Sequence, residues 1–410
     1  MRTNKYILVL ILVAAAFLSS AQEPLDKYLV TAAENNPGLK ARFNDYLSAL
    51  EKAPQVKALP DPQVAFGFFI QPVETRMGPQ QFKLSASQMF PWFGVLKARE
   101  DVAVQAAKAK FELFLEAKAK LFNDVRSTWF NLYFTKKAIG ITSENLDILN
   151  SFQRMALIKV EAGKVSVVDE FRIELEMGEL KNQLALLNDN FYAQLILFNN
   201  LLNVSAQSSV EITDELWETG FKLDKSALLD SVLAQNHQLL KLELERELAG
   251  LKMKVAELNS KPDFSVGFDY INIGKGESNL AGTDAFVFPK IGVSIPLFRK
   301  KYEAMVKEVA YMEKAKQFEK EDKSNSLESL FEMSYRDYTD AGRRILLYRN
   351  QTDLANKSLK ILETEYATSS KNFEELLRME RLLLKYALEL EKAKTDKQAA
   401  ISFITYLMGN

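Results

Sequence analysis

The sequence repeats itself about 200 residues apart, and each copy sets two short strand-like segments against a long helical text. Pro62-Gln63-Val64-Ala65-Phe66-Gly67-Phe68 aligns with Pro262-Asp263-Phe264-Ser265-Val266-Gly267-Phe268 at an offset of 200. Phe90-Pro91-Trp92-Phe93 aligns with Ile295-Pro296-Leu297-Phe298 at an offset of 205. A period this long exceeds a solenoid unit and reads as a duplicated domain half. Whatever this chain folds into must hold every element twice.

Proline placement marks the helical tracts, because proline removes a helical donor and clashes with the preceding turn. None occurs between Pro91 and Pro262, and none follows Pro296. Two tracts result, roughly 95–202 and 299–407. One unbroken helix of that size would run about 150 Å at 1.5 Å per residue, so each tract needs a break. In the first, Gly163 suits a C-terminal cap and Ser166 an N-cap before Asp169 and Glu170. In the second, Ala367-Thr368-Ser369-Ser370-Lys371-Asn372 interrupts the helical text before Phe373. Each tract is predicted to be a helical hairpin. Leu180, Leu184, Leu187, Phe191, Leu195, Phe198 and Leu202 follow three-and-four spacing, as do Phe122, Val125, Trp129 and Leu132, so narrow apolar seams should run along the arms.

The segments between the tracts alternate. Val64, Phe66, Phe68 and Ile70 form one apolar face. Bulky and small residues also alternate through Phe82-Lys83-Leu84-Ser85-Ala86-Ser87, Phe264-Ser265-Val266-Gly267-Phe268-Asp269-Tyr270 and Ile291-Gly292-Val293-Ser294-Ile295. Such a pattern fits strands lying between lipid and a watery lumen, and equally a half-buried soluble sheet. The expected organisation is a first repeat over 22–210, with strands about 63–70 and 80–90 and a hairpin about 95–203. A second follows over 211–410, with strands about 263–271 and 285–298 and a hairpin about 299–408. A segment about 204–225 joins the two.

Arg2 and Lys5 precede an apolar run from Tyr6 to Leu18 and the small residues Ser19-Ser20-Ala21, the pattern of an export signal over 1–21. No later segment offers an apolar run long enough for a spanning helix, so insertion after cleavage would use strands. The 53 Lys and Arg balance 54 Asp and Glu, which gives no footprint for nucleic acid. With no Cys, the exported fold relies on buried surface rather than disulfides. Nor is there a Gly-rich phosphate loop, so any transport must draw its energy from a partner. The single His237 reads as a helix-start residue at the place Pro37 holds in the first copy. Eleven scattered Met read as packing residues, so no metal site, cofactor or enzymatic activity is expected.

Four alternating strands, two long helical hairpins, an export signal and an internal duplication together resemble the TolC family of outer-membrane efflux ducts, over essentially the whole chain after the leader. Gly163, Ser166 and Asp169 are similar to that family's Gly-x-x-Ser-x-x-Asp hairpin tip. The second tip departs from it, with Ser370 where Gly is expected and Phe373 where Ser is. Tyr366 and the Leu-rich helix after Phe373 are similar to the heavy-metal branch.

The resemblance implies a homotrimer in the bacterial outer membrane, each chain giving four strands to a 12-stranded barrel and its hairpins to a tunnel across the periplasm. It implies a periplasmic adaptor and an inner-membrane pump as partners. The duct would be a passive, gated conduit for small molecules or metal ions. A duct for type I protein secretion fits the same pattern, and from another class so does a soluble periplasmic coiled-coil scaffold. Candidate gate or adaptor-contact residues are Gly163, Ser166, Asp169, Glu170, Tyr366, Ser370 and Lys371. Asp169 and Glu170 would favour cations as rings under threefold symmetry, or else complement a helix dipole. Trp92, Phe93 and Phe298 would line a membrane interface, or else pack where sheet turns into helix.

Overall fold

The computed structural model describes residues 23–217, 220–275, 282–369 and 373–410. The export signal expected over 1–21 lies outside the described residues, and so do Ser370 and Lys371. Chain order runs α1 (Glu23–Asn35), α2 (Pro37–Leu50), α3 (Lys52–Lys57), β1 (Gln63–Phe68), β2 (Glu74–Thr75), β3 (Gly78–Phe90), α4 (Val95–Glu161) and α5 (Val167–Leu202). It continues with α6 (Lys225–Gln235), α7 (His237–Leu258), β4 (Asp263–Ile273), β5 (Ala285–Ser294), α8 (Arg299–Ser369) and α9 (Phe373–Leu407). The fold is mainly helical, with one small antiparallel sheet.

The duplication is visible in hydrogen bonds as well as in element order. Asn36 caps α2 by accepting from the Leu39 N–H at 3.1 Å, and its amide donates to the Leu201 carbonyl at 3.0 Å. Its counterpart Asn236, just before α7, donates to the Leu407 carbonyl at 2.9 Å. In both copies one asparagine fastens the entry of a helix to the end of a hairpin arm. His237, at the head of α7, pairs through Nδ1 with the Glu112 carboxylate at 2.8 Å.

Two compact units divide the chain. One comprises residues 41–114 and 237–324 and holds the sheet; the other comprises residues 23–40, 115–236 and 325–410 and holds both hairpin ends. In the second unit the buried Trp129 stacks on Trp217 with ring centroids 5.8 Å apart. Trp129 donates through Nε1 to the Glu211 carbonyl at 3.2 Å, and Gln398 donates to the Trp217 carbonyl at 2.8 Å. The connector after α5 is thereby strapped onto α4 and α9.

The sheet runs β1-β3-β4-β5, every pair antiparallel, with the two-residue β2 lying against the start of β3. Strands expected about 63–70, 80–90, 263–271 and 285–298 are found at Gln63–Phe68, Gly78–Phe90, Asp263–Ile273 and Ala285–Ser294. The register carries one row of side chains through all four long strands: Phe66 faces Leu84, Leu84 faces Tyr270, and Tyr270 faces Phe286. A row three positions along, on the other face, reads Gln63, Ser87, Gly267 and Lys290. The register shifts in β4 between Gly267 and Asp269. A Cβ at position 267 would lie 2.4 Å from the Ala86 carbonyl oxygen, so the close approach there admits only glycine.

Candidate functional site

The first functional feature is the sheet itself, whose two faces differ in kind. Val64, Phe66 and Phe68 on β1, Leu84 on β3, Val266 on β4, and Phe286, Ile291 and Val293 on β5 are all exposed. Alternation places them on one face, where Phe66 meets Phe82 with centroids 5.7 Å apart and Phe268 meets Phe286 at the same separation. The opposite face carries mostly small residues, Ala65, Ser85, Ser87, Ser265 and Gly267, with Met89, Ile271 and Val287 among them, and its charges are Asp263 at the start of β4 and a mid-strand cluster. There Asp269 accepts from Lys83 at 2.7 Å and from Lys290 at 3.2 Å. The outer strands, β1 and β5, each have one edge that pairs with no strand of this chain among the described residues.

Trp92, Phe93 and Phe298 stand where strands hand over to helices. Trp92 packs inward, stacking on Phe264 at 5.7 Å, while its N–H donates to the Asp263 carboxylate at 3.1 Å. Phe93 and Phe298 are 81 % and 82 % exposed. The packing reading therefore describes Trp92, and the two phenylalanines present their rings to whatever surrounds the sheet.

The second feature is the pair of hairpin tips. In the first, Gly163 has φ +66°, its N–H donates to the Val160 carbonyl at 2.9 Å, and Lys164 N–H donates to the Lys159 carbonyl at 2.9 Å. These are the two bonds of a Schellman closure, and they need a left-handed residue at that position. Ser166 then caps α5, its hydroxyl accepting from the Val168 N–H at 3.2 Å. Asp169 follows in the first turn and pairs with Arg172 at 3.3 Å. Glu170 is half-buried beside it.

Arg172 also reaches Glu374 at the head of α9, 3.4 Å away, so one guanidinium ties the first tip to the second. Tyr366, near the end of α8, is 1 % exposed rather than set at a surface. Its ring lies 4.8 Å from that of Phe373, and Lys159 sits over it, 4.0 Å from the centroid, while donating to its carbonyl. Burial and the neighbouring Asp169 carboxylate push the Tyr366 phenol above its ordinary range. Beneath both tips Leu149, Phe152, Ile173, Met177, Leu376 and Leu377 form a common core. Gly163, Ser166, Asp169 and Tyr366 are thus brought together in one packed end.

Two features were missed at the sequence level. One is an exposed apolar stripe on the first turns of α5, made by Val167, Val168, Phe171 and Leu175. Its spacing of three and four is legible in the sequence, but spacing alone does not separate an exposed stripe from a buried seam. The other is the Lys83, Asp269 and Lys290 cluster, which only strand pairing assembles. Among the described residues no group of three His, Asp or Glu side chains is arranged to hold a metal ion, and no helix is long and apolar enough to cross a membrane.

The sequence matches no protein-family model and no curated protein. Solved structures do match. The outer membrane protein VceC from Vibrio cholerae aligns with a TM-score of 0.78 at 13 % identity, over 95 % of this chain and 98 % of that one. CusC, solved in a study of its folding and transmembrane channel formation, aligns at 0.78 and 15 % identity, over 96 % and 95 %. A membrane protein from Pseudomonas aeruginosa aligns at 0.78 and 14 % identity, over 94 % and 90 %. The near-equal scores single out no branch. The chain has a TolC-like fold, that of outer membrane channels.

Proposed function

We propose that this chain is one third of a trimeric outer membrane duct, a passive gated conduit receiving small molecules or metal ions from an inner-membrane pump through a periplasmic adaptor. The observation that carries this reading is the sheet, with one apolar exposed face, one small polar face and two open edges. A water-soluble scaffold would leave that face in solvent as an association hazard. In lipid the face is stable, but each orphan edge group costs on the order of several kcal/mol. Joining β1 of one copy to β5 of the next removes both edges, and three copies make a ring of 12 strands. With 13, 11 and 10 residues, β3, β4 and β5 meet the roughly 9–11 that spanning requires. The shorter β1 is extended by a bond from the Phe69 N–H to the Gln81 carbonyl at 2.9 Å.

The fold shared with outer membrane channels supports the same assignment, in which the hairpins extend into the periplasm. The apolar stripe on α5 then meets a neighbouring copy or the adaptor. On α8 the exposed Leu347, Leu354 and Ile361 recur every seventh residue, the period of a seam between long helices. Asp169 and Glu170 border the periplasmic opening, Asp169 being held in place by Arg172.

Membrane extraction tests this reading. Protein that resists a high-salt wash, leaves the membrane only in detergent as a trimer, and conducts in a planar bilayer is the expected result; a monomer released by salt overturns it. Arg172→Ala cuts the tie between Asp169 and Glu374. Since one exposed pair is worth about 0–1 kcal/mol, the open-to-closed ratio should rise by at most about fivefold per tie.

A further inference from the structure

We propose that the polar face of the sheet is an anion-attracting ring, with Lys290 as its determinant. The inference rests on the duct reading above. On the polar face of the four long strands, the charges away from the strand ends are Lys83, Asp269 and Lys290. Asp269 is 7 % exposed and bonds both ammonium groups, at 2.7 Å to Lys83 and 3.2 Å to Lys290. One carboxylate balances one lysine. Each chain therefore keeps a surplus positive charge at mid-strand, the other acid of this face being Asp263, the first residue of β4.

Exposure shows which lysine presents it. The Asp269 side chain is 9 % exposed, Lys83 35 % and Lys290 52 %, so the closer pair is the more covered and Lys290 is the freer to meet solutes. The row through Gly267 to Ser87 and Gln63 offers no acid, and the next row reads Ala65, Ser85, Asp269 and Val287. Strand β1, which would meet β5 of the next copy, places Gln63, Ala65 and Gly67 on this face. Closure of the sheet on itself would thus bring no new carboxylate to Lys290, and each added copy would add one more unbalanced lysine at the same level.

Low-dielectric walls concentrate such a field, and rings of Lys or Arg favour anions and phosphates as Asp or Glu rings favour cations. The ligand class is small or multivalent anions, phosphate-bearing cargo included. Asp169 and Glu170 belong to the other unit and keep their own contribution whatever stands at position 290.

Reversal potentials in a KCl gradient test the proposal on the purified full-length protein in planar bilayers. Lys290→Glu should lower the anion-to-cation permeability ratio by at least about twofold, and Lys290→Gln should lower it less. Lys290→Arg, which keeps the charge, should retain the wild-type ratio, so that charge and structural damage are separated. Tripolyphosphate added to the bath should reduce wild-type conductance at about tenfold lower concentration than it does for Lys290→Glu. Conducting channels whose ratio and block are the same in all four proteins overturn the ring and leave the duct standing. A wild-type protein that forms no channel overturns both.

Discussion

Glu380 is 1 % exposed on α9, accepting from the Asn145 amide at 3.2 Å through one oxygen while the other has no partner. Burial first, and the Glu363 carboxylate second, push its pKa up to about 7, against a smaller opposing effect from Asn145. The folded chain then holds a proton that the unfolded chain has already released near pH 4.5. Stability from this site is full below that pH, falls as pH rises towards 7, and stays low above it, a loss on the order of 3 kcal/mol. Glu380→Gln should raise the melting temperature at pH 8 and leave it nearly unchanged below about pH 4, where both states keep the proton; an equal gain at both would show that ionisation is not the cause. The position was readable in outline, since Phe373, Leu376, Leu377 and Glu380 follow core spacing. What spacing cannot give is the identity of the groups opposite, and those make this carboxyl costly.

Local backbone rules are strongest at the scale of an element, and there the first tip was legible in detail. A glycine and a serine three residues apart, between two helical texts, specify a left-handed closure and an N-cap with no help from the rest of the chain. Gly163→Ala puts a side chain at φ +66°, where nothing lies within 4 Å of the new Cβ, so the cost is backbone strain alone, about 1–2 kcal/mol. Hydrogen exchange in the last turn of α4 should quicken by about five- to thirtyfold, and exchange in α9 should hold. The second tip was legible only as a break. Its tyrosine sits inside a core formed by four helix ends, which no single segment encodes. The strands were legible from alternation, because one face is bulky in all of them. The two-residue β2 lacked the length to alternate, and the Lys83, Asp269 and Lys290 cluster joins three strands whose order only tertiary pairing sets.

For the whole molecule, the sheet's two faces make opposite demands on substitution. A lysine at Phe66 or Ile291, on the apolar face, should cost about 2–4 kcal/mol if that residue meets the middle of a bilayer. The yield of detergent-resistant trimer in membranes should fall accordingly, whereas Ser85→Lys on the polar face should leave it near wild type. Equal losses from both faces would argue for a buried soluble sheet. The two edges matter on a different footing. Since β1 and β5 are different strands, every join is head to tail, and a pair of copies still ends in one free edge of each kind, as a lone copy does. The first join therefore covers one edge on each copy and leaves two open, whereas the arrival that closes the circle covers four at once. Assembly of such a sheet would be steeply dependent on concentration, populated at its ends and empty in between, and a few copies with one blocked edge would poison a large excess of sound ones.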